Sequence, residues 1–445
     1  MVVRPVVLRY PHNELHMDRM HRSNPVERLR HRFYEPLLFL WMLNPARGPT
    51  YEQPTINQPS HDFFSQWREF LDCLSWMCDF DHGGKTISAV AAEQTVDGIR
   101  FWLTSKHEVA LDRLRDILEK LQLASIAAPD DMAATARTLA ESSIRLSGDK
   151  IKNYCRELSR RLATSGEDHD ATRLLNAISA IALMKDQPLE VCRRALNFSE
   201  LAALDRRIEA MIDVRTLTKW SYLRHYLLRL QSWHRKSAII VHFAARYPSV
   251  LGGCSCEWLQ IPEDASLPAR DEKSNLLSAL KRMLPKDQQQ RAVELHDSVG
   301  SLRDFDFDAA FTKSFDGKGL SLAIHAEVFL MEHFYWNDLR FLENDRYIGC
   351  SKRSCYCCSL YMRYHPGNFV LRPSHGTAWV TWGLPLLAKV EDEVIQKHNL
   401  DVMNNVVQHL RRDLLNELEV RFPRRQRPPD STSGFASLQL ERYEG

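Results

Sequence analysis

Three stretches decide how this chain is read: Ser321–Tyr335 (SLAIHAEVFLMEHFY), Arg346–Tyr361 (RYIGCSKRSCYCCSLY) and Asn368–Gly376 (NFVLRPSHG). Their hydrophobic pattern reads as strand into helix, strand into helix, then strand. His325-Ala326-Glu327 opens the first helix. Cys355-Tyr356-Cys357-Cys358 opens the second, directly after an apolar strand at Tyr347–Cys350.

Cys355 and Cys358 are three positions apart, so on a helix they share a face, whereas the adjacent Cys357 points elsewhere. A helix N-terminus favours thiolate over thiol. Two thiolates and the imidazole of His325 make three protein ligands for Zn2+, and a fourth position left open is the mark of a catalytic rather than a structural site. Such a position holds water, which zinc acidifies. Glu327 is then within reach of that water as a proton carrier. H-x-E alone is a weak signal: His12-Asn13-Glu14 is a second copy with nothing behind it. Joined to C-x-x-C in this order, with His325 and Cys355 thirty positions apart, it becomes a strong one.

At these residues the chain resembles the cytidine-deaminase-like zinc deaminase superfamily, whose signature is H-x-E followed by P-C-x-x-C. The wider match (I-H-A-E, Y-I-G-C-S-K, S-C-Y-C-C and S-H-G) is most similar to a branch expanded in fungi, the OTT-like nucleic acid deaminases. The resemblance implies an α/β/α sandwich around a five-stranded mixed sheet. It implies His325, Cys355 and Cys358 as zinc ligands and Glu327 as the catalytic proton shuttle. It also implies a cytosine or adenine base as substrate, free, in a nucleoside or within single-stranded nucleic acid. The signature proline before the first cysteine is Ser354 here, and serine as N-cap is expected to preserve the turn. Tyr356, His375 and Trp379 are candidates for substrate contact, the two aromatics by stacking on a base.

Outward from this segment, the chain is expected to be α+β overall, with a large, mostly helical N-terminal region before the deaminase-type sandwich. Residues 1–60 carry eight prolines and read as an irregular Pro/Arg-rich arm, with Leu37–Leu43 docking on the body. Residues 61–290 read as mostly helical with a small hairpin near 85–103 around Val96-Asp97-Gly98. Residues 291–385 would form the zinc deaminase-like domain, 386–422 a C-terminal helix and 423–445 a disordered tail.

Composition narrows the remaining classes. With 445 residues, 44% hydrophobic and 26% charged, the chain is neither disordered as a whole nor fibrous. A net charge of +2 excludes a histone-like binder. The longest apolar run, Leu37–Leu43, cannot span a bilayer, and the N-terminus lacks a signal-peptide pattern. The expectation is an intracellular protein, cytoplasmic or nuclear, whose ten cysteines are thiols or metal ligands. Gly83-Gly84-Lys85-Thr86 falls short of a P-loop because Asp79 stands where the first glycine is required. Basic and aromatic residues interleave between Trp220 and Lys236, a pattern that more often buries its aromatics than binds nucleic acid. The alternative to an enzyme is a catalytically inactive zinc scaffold serving as a protein-interaction module; Glu327 beside an open metal position favours the enzyme.

Overall fold

The computed structural model describes residues 25–43, 62–126, 129–163, 172–209, 214–300, 306–315, 320–385 and 393–420. Most of the expected arm and the tail lie outside the described residues. The described chain is mostly helical with a small mixed sheet. It divides into two units: one takes residues 57–260 and 340–352, the other 261–339 and 353–428 together with the first 56 residues.

The unit built on 57–260 carries the larger sheet. Its first helix, Phe63–Cys78, is capped by Asp62, whose side chain accepts from the Ser65 amide. Trp67, Phe70, Leu71 and Leu74 recur at helical spacing and are buried. Phe70 stacks 4.3 Å from Phe243 of the long Val214–Arg246 helix. Burying one such ring contributes about 1.5–3 kcal/mol.

The expected hairpin forms from Ala89–Thr95 and Gly98–Ser105, closing with Thr95 opposite Gly98. Gly98 takes a φ of +138°, open to glycine and strained for other residues. Phe101 and Leu103 face the core, while Arg100 and Trp102 both reach Glu93 on the opposite strand. Ser255–Gln260 adds in parallel to one edge of the hairpin. Gly349–Cys350 adds antiparallel to the other, pairing with Ala89 and Val90.

Among the described residues this sheet has four strands, in place of the five-stranded sheet expected of the C-terminal segment. Part of the difference is that Phe369–Arg372, read as a strand, has no ladder partner; the loop after it pairs only through the isolated bridge Ser354–Ser374. In the Val214–Arg246 helix the aromatics Trp220, Tyr226 and Trp233 are buried, and Arg224 pairs with Asp205.

In the other unit, Pro25–Leu43 is a 19-residue helix where an irregular arm was expected. Proline frequency misled: Pro25 sits at the helix start, where a missing N–H costs nothing, and only Pro36 is interior. Leu29, Phe33, Leu37 and Leu40 give the buried stripe that holds the helix against Glu393–Val420, near the expected C-terminal helix. Arg32 adds a 3.1 Å hydrogen bond to Asn404, and Arg282 holds the buried Glu35 carboxylate at 2.6 Å. Two further helices, Leu276–Met283 and Gln289–Gly300, belong to the same unit. A two-residue ladder, Ala265–Ser266 with Ser321–Leu322, leads into Ala326–Trp336, and Tyr356–Tyr364 follows. No helix among the described residues is long and apolar enough to cross a membrane.

Candidate metal centre

His325 is the N-cap of the Ala326–Trp336 helix, in extended conformation at φ −76°, ψ 140°. Its approach is fixed from one side. The Ala323 amide donates to the Thr381 carbonyl at 2.9 Å, and Gly383 donates back to Ala323 at 2.7 Å. A β-carbon on Gly383 would lie 2.8 Å from the Ala323 carbonyl carbon, so only glycine permits this approach. The same crossing brings Trp382 into the site.

Cys355 is the N-cap of the Tyr356–Tyr364 helix, and its sulfur accepts the Cys358 amide at 3.4 Å. This corrects the expectation that Ser354 would cap. Ser354 is fully buried one residue earlier, and its backbone is bound on both sides: its amide donates to Pro373, and its carbonyl accepts from His375 and from the Ser374 hydroxyl. The 373–377 loop thereby holds the turn that presents both thiols, and Thr377 continues the hold by accepting from the Tyr356 amide at 3.1 Å.

The two helix starts converge. Nδ1 of His325 lies 3.6 Å from the Cys355 sulfur and 3.2 Å from the Cys358 sulfur. Ligands at about 2.0–2.3 Å from one ion in tetrahedral array stand roughly 3.5 Å apart, so the spacing fits a shared metal ion. Both thiols are buried, and His325 keeps partial exposure. Burial alone would raise the Cys355 thiol; hydrogen bonding from Cys358 and the charge of His325 hold it well below the ordinary range. Burial, the Cys355 sulfur and Glu327 push Cys358 the other way. Binding of a cation would displace thiol protons from the pair.

Glu327 is 3% exposed and lies against the Cys358 thiol. Cys357 faces away, its thiol raised by burial and by the charge on Cys355. Cys350 belongs to the sheet-bearing unit, where its amide donates to Asp72. Of the three candidates for substrate contact, His375 is near enough to stabilise the Cys355 thiolate. Tyr356 is fully buried, its hydroxyl donating to Asp413 at 2.7 Å, and Trp379 is 37% exposed. The residue that sequence reasoning passed over is Trp382, whose indole N–H donates to the Cys358 sulfur at 3.2 Å. Nothing in its spacing distinguishes it from Trp379.

Residues 324–386 match the family model described as OTT_1508_deam:-like deaminase. The match spans His325, Glu327, both candidate cysteine ligands and Trp382, which supports a deaminase-like family for this segment. No curated protein and no solved structure gives a significant match.

Proposed function

We propose that the chain is a zinc-dependent hydrolytic deaminase of a cytosine or adenine base, with a base in single-stranded nucleic acid favoured over a free nucleoside by resemblance to the fungal-expanded nucleic acid deaminases. The observation that carries this reading is the convergence of His325, Cys355 and Cys358 beside a buried carboxylate, Glu327, inside the segment that matches a deaminase. Soft thiolates with one imidazole suit zinc over harder divalent ions.

Zinc, when bound, would supply Lewis acidity that lowers the pKa of water toward neutrality. The chain's own groups do the rest. Among the described residues His325, Cys355 and Cys358 are the ligand groups that converge there, which would leave the fourth position of a tetrahedral site to water. Glu327 takes a proton from the attacking water at a carboxylate oxygen and returns it to the ring nitrogen. The second proton of the water then passes from the new hydroxyl, by way of Glu327, to the amino group, which leaves as ammonia as the carbonyl forms, so that the sum is base plus water to oxo-base plus ammonia. Trp382 and the 373–377 loop keep both sulfurs in place while this happens.

Glu327→Gln tests the reading. Positioned acid–base groups contribute about 10²–10⁴-fold, so ammonia release from cytosine- or adenine-containing nucleosides and single strands should fall at least that far while metal content and melting temperature hold. An active wild type matched by an equally active, metal-loaded Glu327→Gln would overturn the mechanism. Metal binding without turnover on any of these substrates would favour the scaffold.

A further inference from the structure

Away from the thiols, a second set of metal-ligating groups meets inside the same unit. Glu332 stands on the Ala326–Trp336 helix, His365 just past the Tyr356–Tyr364 helix, and His398 on the Glu393–Val420 helix. One ligand atom from each falls within 4.8 Å of the others. Glu332 is fully buried and His365 is 3% exposed, while His398 keeps partial exposure. We propose that Glu332, His365 and His398 form a second site for a divalent first-row transition metal ion, separate from the thiolate centre and independent of the deaminase reading.

Three observations carry this. First, among the described residues Nε2 of His398 is buried without a hydrogen-bond partner, an arrangement that costs about 1–3 kcal/mol unless something occupies it. Nε2 of His365 lies 3.1 Å from a Glu332 oxygen, which brings imidazole and carboxylate to one point. Second, the two imidazole rings are 4.9 Å apart at 70°. Imidazoles that share an ion at about 2.0–2.1 Å place their ring centres about 5 Å apart.

Third, the surroundings look like the outer support of a metal site. Trp336 donates to one Glu332 oxygen at 2.8 Å and Tyr361 to the other at 2.7 Å, which orients the carboxylate. Tyr335 stacks on His398, and Phe369 packs its edge on His365. Two imidazoles and one carboxylate suit zinc, iron(II) or nickel rather than calcium or magnesium.

One feature of the ring must change on binding. The Gly367 amide donates to Nδ1 of His365 at 3.0 Å, so a neutral ring carries its proton on Nε2, where the ion would sit. Capture of the ion moves that proton to Nδ1, with no net release. With Nδ1 protonated the ring can no longer accept from the Gly367 amide, so this hydrogen bond is given up on binding.

The test uses the full chain, stripped by chelator and titrated with zinc alone. Wild type should take two equivalents. Cys355→Ala with Cys358→Ala should still take one, and the same double variant loaded with cobalt(II) should show nitrogen–oxygen ligand bands without thiolate charge transfer. His398→Ala removes a partly exposed ligand and is the change least disruptive to the fold; it should take wild type from two equivalents to one. Loss of supporting partners alone weakens metal sites about 10–100-fold, so the second affinity should fall by at least about 100-fold. A folded Cys355→Ala, Cys358→Ala protein that takes no zinc, or His398→Ala that takes as much zinc as wild type with the same affinities, would overturn the site. If the double cysteine variant fails to fold, His398→Ala decides alone.

Discussion

The indole nitrogen of Trp382 donates its hydrogen to the sulfur of Cys358 across 3.2 Å. Trp382 is fully buried, its carbonyl accepts from the Tyr34 hydroxyl, and its ring packs against Phe33 and Tyr361. The donor is thus held from several sides while it faces a sulfur that burial and nearby charge make reluctant to ionise. An N–H aimed at that sulfur offsets part of the cost of making it a thiolate.

Trp382→Phe keeps a ring and removes the donor. Zinc affinity at the thiolate centre should fall about 10–100-fold, measured by competition with a chelator in a His398→Ala background so that one class of site is read. Replacement of the indole by its benzothiophene analogue at the same position keeps the shape as well; equal affinity in that protein would show that packing alone is responsible.

Cys357→Ser should leave the thiolate centre loaded. Its neighbours Cys355 and Cys358 converge on His325, whereas Cys357 is turned about 100° from the next residue along the helix. The position is 1% exposed, so a hydroxyl without a partner there should cost about 1–3 kcal/mol of stability. Elemental analysis and thermal melting on the same sample read both outcomes, and loss of metal in this variant would reassign the ligands.

The convergence of His325, Cys355 and Cys358 was legible in sequence because its signal is local. H-x-E and C-x-x-C each sit at one helix start, and spacing within one turn fixes which side chains share a face. What was not legible depends on chain segments that meet from far apart. Trp382 and Trp379 look alike until the 381–383 backbone pairs with Ala323. Glu332, His365 and His398 lie on three elements with no spacing rule to join them, and His398 falls beyond the matched segment. The sheet misled for the same reason. Gly349–Cys350 reads as part of a C-terminal strand set, but its partners are Ala89 and Val90. Pro25–Leu43 was missed for an opposite, local reason: proline count outweighed a helical stripe already present in Leu29, Phe33, Leu37 and Leu40.

Gly349→Ala should damage the sheet-bearing unit. A β-carbon there would lie 2.5 Å from the Leu71 backbone carbon of the Phe63–Cys78 helix, which has no flexible end to move aside. Overpacking of this kind costs about 1–3 kcal/mol. Urea unfolding followed by circular dichroism should show a lower midpoint, and an unchanged midpoint would mean that helix and strand can separate freely.

Lys150→Ala should be more severe. Lys150 is 4% exposed and reaches an Asp79 carboxylate oxygen at 3.3 Å and the Asp79 carbonyl at 2.5 Å. Asp79 is also buried and accepts from Thr86 at 2.7 Å. Removal of the ammonium leaves a buried carboxylate with its hydroxyl donor but no cation, which costs about 3–5 kcal/mol. Lys150→Met with Asp79→Asn should recover part of that loss in the same denaturation assay; a single variant as stable as wild type would show that water reaches the pair.

Acid should destabilise the Ala326–Trp336 helix through His333. Burial lowers its pKa from the ordinary 6.5 to about 4, and the Asn337 amide donates to its Nδ1, which suits the neutral ring. The direction follows from proton counts. Between pH 6.5 and about 4 the unfolded chain binds a proton at this residue and the folded chain does not, so acid favours unfolding. The contribution is fully present above the unfolded value, is lost progressively as pH falls through the window, and levels off below about 4. A difference of this size corresponds to about 3 kcal/mol, an upper figure for one group. His333→Gln removes the titration while keeping a polar side chain. Unfolding midpoints in urea at pH 7 and pH 4.5 should therefore fall further in wild type than in His333→Gln. Since every other titrating group is common to both proteins, an equal fall in the two would exclude His333 as the source.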